Sequence, residues 1–94
     1  MNRHYELKLK GYDLQRIADR AAEIFQIETD EIFSPGRQSI KVSARSLVCF
    51  WSVRELGMSL SELAVTFKMS VSGIGYAVVR GEKIAKDKNL SLVI

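Results

Sequence analysis

The sequence predicts an all-α domain, a small bundle of about five helices that contains a helix-turn-helix. Apolar residues recur at helical spacing in successive segments, and residues able to cap helix starts precede them. In addition, Met58 to Ile74 reads as a short helix, a tight turn and a second helix.

Asp13 is placed to cap a first helix whose Leu14, Ile17, Ala18, Ala21, Ile24 and Phe25 form the stripe of a half-buried helix. Its outer face carries Arg16, Asp19, Arg20 and Glu23. Thr29 can cap a short second helix, with Asp30 and Glu31 near its positive N-terminal end and Ile32 and Phe33 turned inward. Pro35-Gly36 stops that helix and opens a basic loop. A third helix, from about Ser43 to Leu56, is apolar around most of its circumference, as a central helix would be. Gly57 is placed to end it in the left-handed conformation.

The helix-turn-helix spans residues 59–86. Ser59 and Glu62 have the spacing of a capping box, and Leu60, Leu63, Ala64 and Phe67 share one face. The turn falls at Lys68-Met69, where glycine is usual and a lysine must accept some backbone strain. Ser70 or Ser72 can cap the fifth helix, whose core positions are Val71, Ile74, Ala77, Val78, Ile84 and Ala85. Ser72, Tyr76, Arg80 and Lys83 fall on the opposite face, which in such a motif enters the major groove. Residues 1–11 read as a flexible N-terminus. The apolar tail Leu90 to Ile94 could dock on the core, pair with a partner or mark a cut chain.

A chain of 94 residues makes one small domain with a single core. It contains no apolar run of about 18 residues and no signal-peptide pattern, so a cytoplasmic protein is expected. Cys49, the only cysteine, lies in the apolar run Leu47 to Trp51 and reads as a buried, inert thiol. Trp51 and Phe50 read as core. The net charge of +3 is modest, but it is unevenly distributed. No acid occurs from Ile32 to Arg54, where Arg37, Lys41 and Arg45 follow at four-residue spacing, and none between Lys68 and Arg80. Such a positive face suits phosphates.

Catalytic chemistry is not expected. His4, the only histidine, has no second His, nearby Cys or metal-ligand spacing, and Ser34-Pro35-Gly36-Arg37 lacks the Gly-Lys-Ser/Thr ending of a phosphate-binding loop. No enzyme, cofactor, metal or small-molecule ligand is therefore anticipated.

The order of Ile17, Ala22, Glu23 and Phe25, then Ile27, then Ile32 to Arg37, then Ala44-Arg45-Ser46-Leu47, Arg54-Glu55-Leu56 and Ser59 to Leu63 resembles the C-terminal DNA-binding domain of the bacterial replication initiator DnaA. The likeness covers Tyr12 to about Ile84. It implies the Trp-repressor-like fold of DnaA domain IV, with a helix-turn-helix in the major groove of double-stranded DNA and a loop arginine in the minor groove. Arg37 matches that arginine, Ser59 to Glu62 the backbone phosphate contacts, and the start of the fifth helix the base-reading residues. The initiator's Asp-His-Thr-Thr signature is missing from Lys68 to Tyr76, so the initiator's own site is not the expected target.

Phe33 to Arg37 and Ala44 to Leu60 are closer in wording to the accessory domain of single-tyrosine transposases associated with repetitive palindromic DNA. The His-x-His motif of their nuclease is absent. The resemblance thus implies the DNA-reading part of such a transposase, or a stand-alone relative, with a homodimer or a linked nuclease domain as further partners.

Gly73 and Gly75 weaken the fifth helix by roughly 1 kcal/mol each relative to alanine. They either let its N-terminus approach a groove closely or mark a frayed first turn. Tyr76 either stacks on sugar or donates to phosphate from the exposed face, or leans back on the core. The candidate DNA contacts are Arg37, Gln38, Ser39, Lys41, Arg45, Ser59, Ser61, Lys68, Ser70, Ser72, Gly73, Tyr76 and Arg80. The alternative is a protein-interaction module on the same fold, docking through Leu90 to Ile94 or the fifth helix without DNA.

Overall fold

Five α-helices follow one another in the computed structural model, which describes residues 11–34 and 36–92. They are α1 (Leu14–Phe25), α2 (Thr29–Phe33), α3 (Ser39–Leu56), α4 (Leu60–Phe67) and α5 (Val71–Asp87), with no strand among the described residues. Pro35, Val93, Ile94 and residues 1–10 of the expected flexible N-terminus, His4 among them, lie outside the described residues.

Three helix starts follow their sequence signals. The Asp13 carboxylate accepts from the Arg16 amide at 2.9 Å, and the Ser70 hydroxyl accepts from Gly73 at 3.0 Å. At α4 the capping box is complete: Ser59 Oγ accepts from the Glu62 amide while Glu62 Oε1 accepts from the Ser59 amide. Two starts differ from expectation. Thr29 is not a cap but the first residue of α2, and its hydroxyl donates to Asp19 of α1 at 2.8 Å, a bond between distant segments. The central helix begins at Ser39 rather than Ser43, with Gln38 as a cap that offers no side-chain bond. Ser39, Lys41 and Arg45 therefore stand on a helix, and the basic loop shrinks to the short link after α2.

The helix ends share a mechanism. Gln26, Lys68 and Asn89 each adopt the left-handed conformation, and the residue after each donates back to the carbonyl five positions earlier: Ile27 to Ala22, Met69 to Ala64 and Leu90 to Ala85. These are Schellman endings, in which an apolar residue just past the turn packs back on the helix. Ile27, Met69 and Leu90 are all partly buried against the core. Docking of Met69 offsets the strain of Lys68 at φ 56°, which explains how the turn forms without glycine. Replacing Lys68 with glycine is expected to stabilise the fold by about 0.5–1 kcal/mol, read as a higher urea midpoint at unchanged slope. An unchanged or lower midpoint would show that Lys68 is not strained there.

α3 is the axis of the molecule. One core cluster joins it to α1 and α2 through Ile17, Ala21, Ile32, Leu47, Val48 and Trp51; a second joins it to α4 and α5 through Cys49, Leu63, Ile74 and Ala77. Burial pushes the Cys49 thiol up to about 12, against a smaller opposing pull from the Arg45 charge, so the thiol stays protonated and unreactive at neutral pH. Along α5, Ala77, Gly81 and Ala85 are buried at four-residue spacing, and they let α5 lie close against α3. At Gly81 an added Cβ would overlap the Ser46 carbonyl oxygen and lie 2.7 Å from Phe50 Cβ.

Residues 90–92 of the tail dock on this core. Leu92 is buried, Leu90 half-buried, and the Arg20 guanidinium donates to the Ser91 carbonyl at 3.3 Å. Val71 departs from its expected core position, being 48% exposed. Between α4 and α5 the chain turns by 101° over residues 68–70. No single helix among the described residues is long and apolar enough to cross a membrane.

Candidate nucleic-acid interface

A cleft of about 650 Å³ opens between the link after α2, the first half of α3, the 66–69 turn and α5. Four cationic side chains line it, Arg37, Arg45, Lys68 and Arg80, and among the described residues no carboxylate does. They come from four different elements, so only the fold brings them together. Val42, Ala77 and Met69 supply apolar wall. Phe33 and Phe67 stack nearly parallel, 5.3 Å between centroids and 5° between planes, and tie the end of α2 to the end of α4.

The cations differ in how they are held. Arg45 Nε donates to the Ile32 carbonyl at 3.2 Å and its Nη2 to the Ser34 carbonyl at 2.9 Å. Those carbonyls end α2 and have no further helix turn to satisfy them. Lys41 Nζ donates to Ser34 Oγ at 3.2 Å, and Ser34 Oγ donates to the Glu31 carbonyl at 3.0 Å. Lys41 and Arg45 thus bolt residues 31–34 onto α3. Arg80 Nη1 donates to Ser46 Oγ at 3.1 Å, and Ser46 Oγ donates to the Val42 carbonyl at 2.7 Å. Ser46 is buried, so the chain anchors one edge of Arg80 and satisfies a core hydroxyl at once. Arg37 and Lys68 are exposed.

Of the other expected contacts, Gln38 and Ser39 lie exposed at the start of α3, and Ser59 and Ser61 at the start of α4. The capping box occupies the Ser59 and Glu62 amides. Leu60 and Ser61 are left as the first-turn amides of α4 with no capping acceptor or preceding helical turn. Ser70 is engaged as the cap of the first turn of α5. Ser72, Tyr76, Arg80 and Lys83 project from the outer face of α5, Tyr76 with 73% of its surface exposed. Gly73 and Gly75 separate in character. A Cβ at Gly73 would press on Ser70 Oγ and Met69 Cε at 3.1 and 3.3 Å, whereas one at Gly75 would meet open space.

Sequence reasoning passed over the exposed apolar residues Val65 and Val79, at 81% and 67%. The signal was available for Val79, which falls off the helical stripe through Ile74, Ala77 and Ala85. One of the two acids of α5 is engaged: Glu82 pairs with Arg54 at 3.3 Å and with Lys86 at 4.0 Å. Among the described residues no three His, Cys, Asp or Glu side chains are grouped to hold a metal ion.

Together these features define an all-helical domain with a cationic cleft beside an exposed helix face. No protein family, curated protein or solved structure matches the chain.

Proposed function

We propose that this chain is a sequence-selective, double-stranded DNA-binding domain, used as the DNA-reading part of a transposase-related protein. In this reading α4 and α5 act as a helix-turn-helix of the Trp-repressor-like, DnaA-like kind. The observation that carries it is the convergence of Arg37, Arg45, Lys68 and Arg80 in one cleft with no carboxylate among the described residues that line it, beside the exposed face of α5. The three-residue turn and the 101° change of direction support the motif, since recognition helices follow their partners at about 90–120°.

The roles follow from how each side chain is held. α5 lies in the major groove and presents Ser72 and Tyr76 to bases. Phosphates occupy the cleft, drawn by charges that face no competing acid. Arg37 reaches an adjoining minor groove, while Lys41 and Arg45 hold the link that carries it and add charge. The α4 amides of Leu60 and Ser61 receive a phosphate at a helix N-terminus.

The test is fluorescence anisotropy of the full chain with a labelled random-sequence duplex and the matching single strand, across about 50 to 200 mM salt. Preference for duplex with a steep fall in affinity as salt rises is the expected result. No binding at the lowest salt would overturn the reading in favour of a protein-interaction module that docks through the α5 face or through Leu90 to Ile94, of which Leu90 and Leu92 are packed on the core.

A further inference from the structure

We infer that α5 reads thymine methyl groups, through Val71 and Val79 on either side of an open notch at Gly75. This inference rests on the duplex-DNA reading above and specifies what that helix selects. The three residues stand at four-residue intervals and therefore form one ridge, about 12 Å long at 1.5 Å per residue. Val79 is 67% exposed and Val71 48%, although both side chains are wholly apolar. Between them a Cβ would meet nothing within 4 Å, so the ridge dips to bare backbone.

The chemistry of the exposed face argues against hydrogen-bonded readout of adenine or guanine. Adenine is read in the major groove by the paired donor and acceptor of Asn or Gln, and no Asn or Gln occurs on α5. Guanine is read by a bidentate guanidinium or an ammonium; from Val71 to Val79 the helix carries neither, Arg80 is tethered by its bond to Ser46, and Lys83 stands beyond the ridge. What the face presents at the ridge is apolar surface, and the thymine C5-methyl is the major-groove group that apolar side chains recognise. The flanks favour DNA over an apolar protein partner, because Arg80 and Lys83 border the ridge while the nearby acid Glu82 is paired to Arg54 and Lys86. A positive rim around a methyl-sized notch matches a groove walled by phosphates.

The experiment is a selection of duplexes from a random library by the full chain, followed by replacement of each thymine in the recovered site by deoxyuridine. That replacement removes one methyl group and leaves every hydrogen bond. At one or more positions it is expected to weaken binding about fourfold, the size expected for one methyl-sized group leaving a buried contact. Val79→Ala, at an exposed position, is expected to erase the difference between thymine and deoxyuridine at one such position. Gly75→Ala is expected to raise thermal stability through better helix propensity and yet weaken binding to the selected site. If the selected duplex binds tightly and deoxyuridine is neutral at every position, the methyl reading is overturned and the duplex reading stands. If no duplex is bound at the lowest salt, both fall.

Discussion

Gly81→Ala is expected to cost the fold about 3 kcal/mol or more. The added Cβ would collide with the Ser46 carbonyl oxygen and stand 2.7 Å from both the Ser46 carbonyl carbon and Phe50 Cβ. Two of these three atoms are backbone of α3, which is fixed by its own hydrogen-bond ladder and by two core clusters. The clash is relieved only by moving α5 away from α3. That movement also breaks the bond from Arg80 to Ser46 and loosens Ala77 and Ala85. Helix propensity works the other way, by roughly 1 kcal/mol, and is too small to compensate. For a domain of this size the total stability is on the order of 5–14 kcal/mol, so the loss is a large fraction of it. The measurement is the urea midpoint of the variant beside Gly75→Ala, the same substitution in the same helix at a site with open space. Opposite signs are expected. A Gly81→Ala midpoint near that of the parent would mean that α3 and α5 are not in close contact.

Local chemistry made much of the fold legible. Asp13, Ser59 with Glu62, and Ser70 are cap residues whose side chains act within three residues, so their spacing is a sufficient signal. The left-handed turn at Gly57 is of the same kind. Features decided between distant segments were not legible. α3 begins four residues early without a capping side chain, and Lys41 and Arg45 reach from its first half to residues that end α2. Thr29 resembles a cap, but its hydroxyl serves α1. Gly81 stands midway between the core positions Ala77 and Ala85, but a glycine that allows close packing looks in the sequence like one that merely weakens a helix.

The candidate site shows the same division. The charge pattern announced a basic face, and the helical offset of Ser72, Tyr76 and Arg80 put them on one side of α5. Nothing in the spacing said that Arg37, Arg45, Lys68 and Arg80 would share one cleft while Gln38, Ser39 and Tyr76 lay outside its lining. Nor did it say that Arg45 would spend its donors on carbonyls. That commitment makes Arg45→Ala a poor probe of binding, since it orphans the Ile32 and Ser34 carbonyls and strikes the fold first.

The combined variant Arg37→Ala, Lys68→Gly separates charge from folding. Arg37 is exposed and makes no hydrogen bond or ion pair with another described residue, so its truncation leaves stability within about 0.5 kcal/mol. Lys68→Gly relieves a left-handed lysine and raises stability. The pair therefore removes two of the four cleft charges from a protein at least as stable as its parent. Affinity for duplexes of every sequence is expected to fall about 100-fold near 100 mM salt, and the slope of log K against log salt to shrink by roughly 2, one unit for each cation withdrawn from the DNA, Lys68 from a phosphate and Arg37 from between the phosphate rows of the minor groove. A base-reading defect would instead change the preference among sequences and leave the slope alone. Equal affinity and an equal slope in this variant would mean that phosphates do not lie in the cleft. DNA binding would then have to rest on α5 and the α4 amides, which are too few to give a steep salt dependence. Because the variant stays folded, the cleft either carries the electrostatic footprint or loses it on this one comparison.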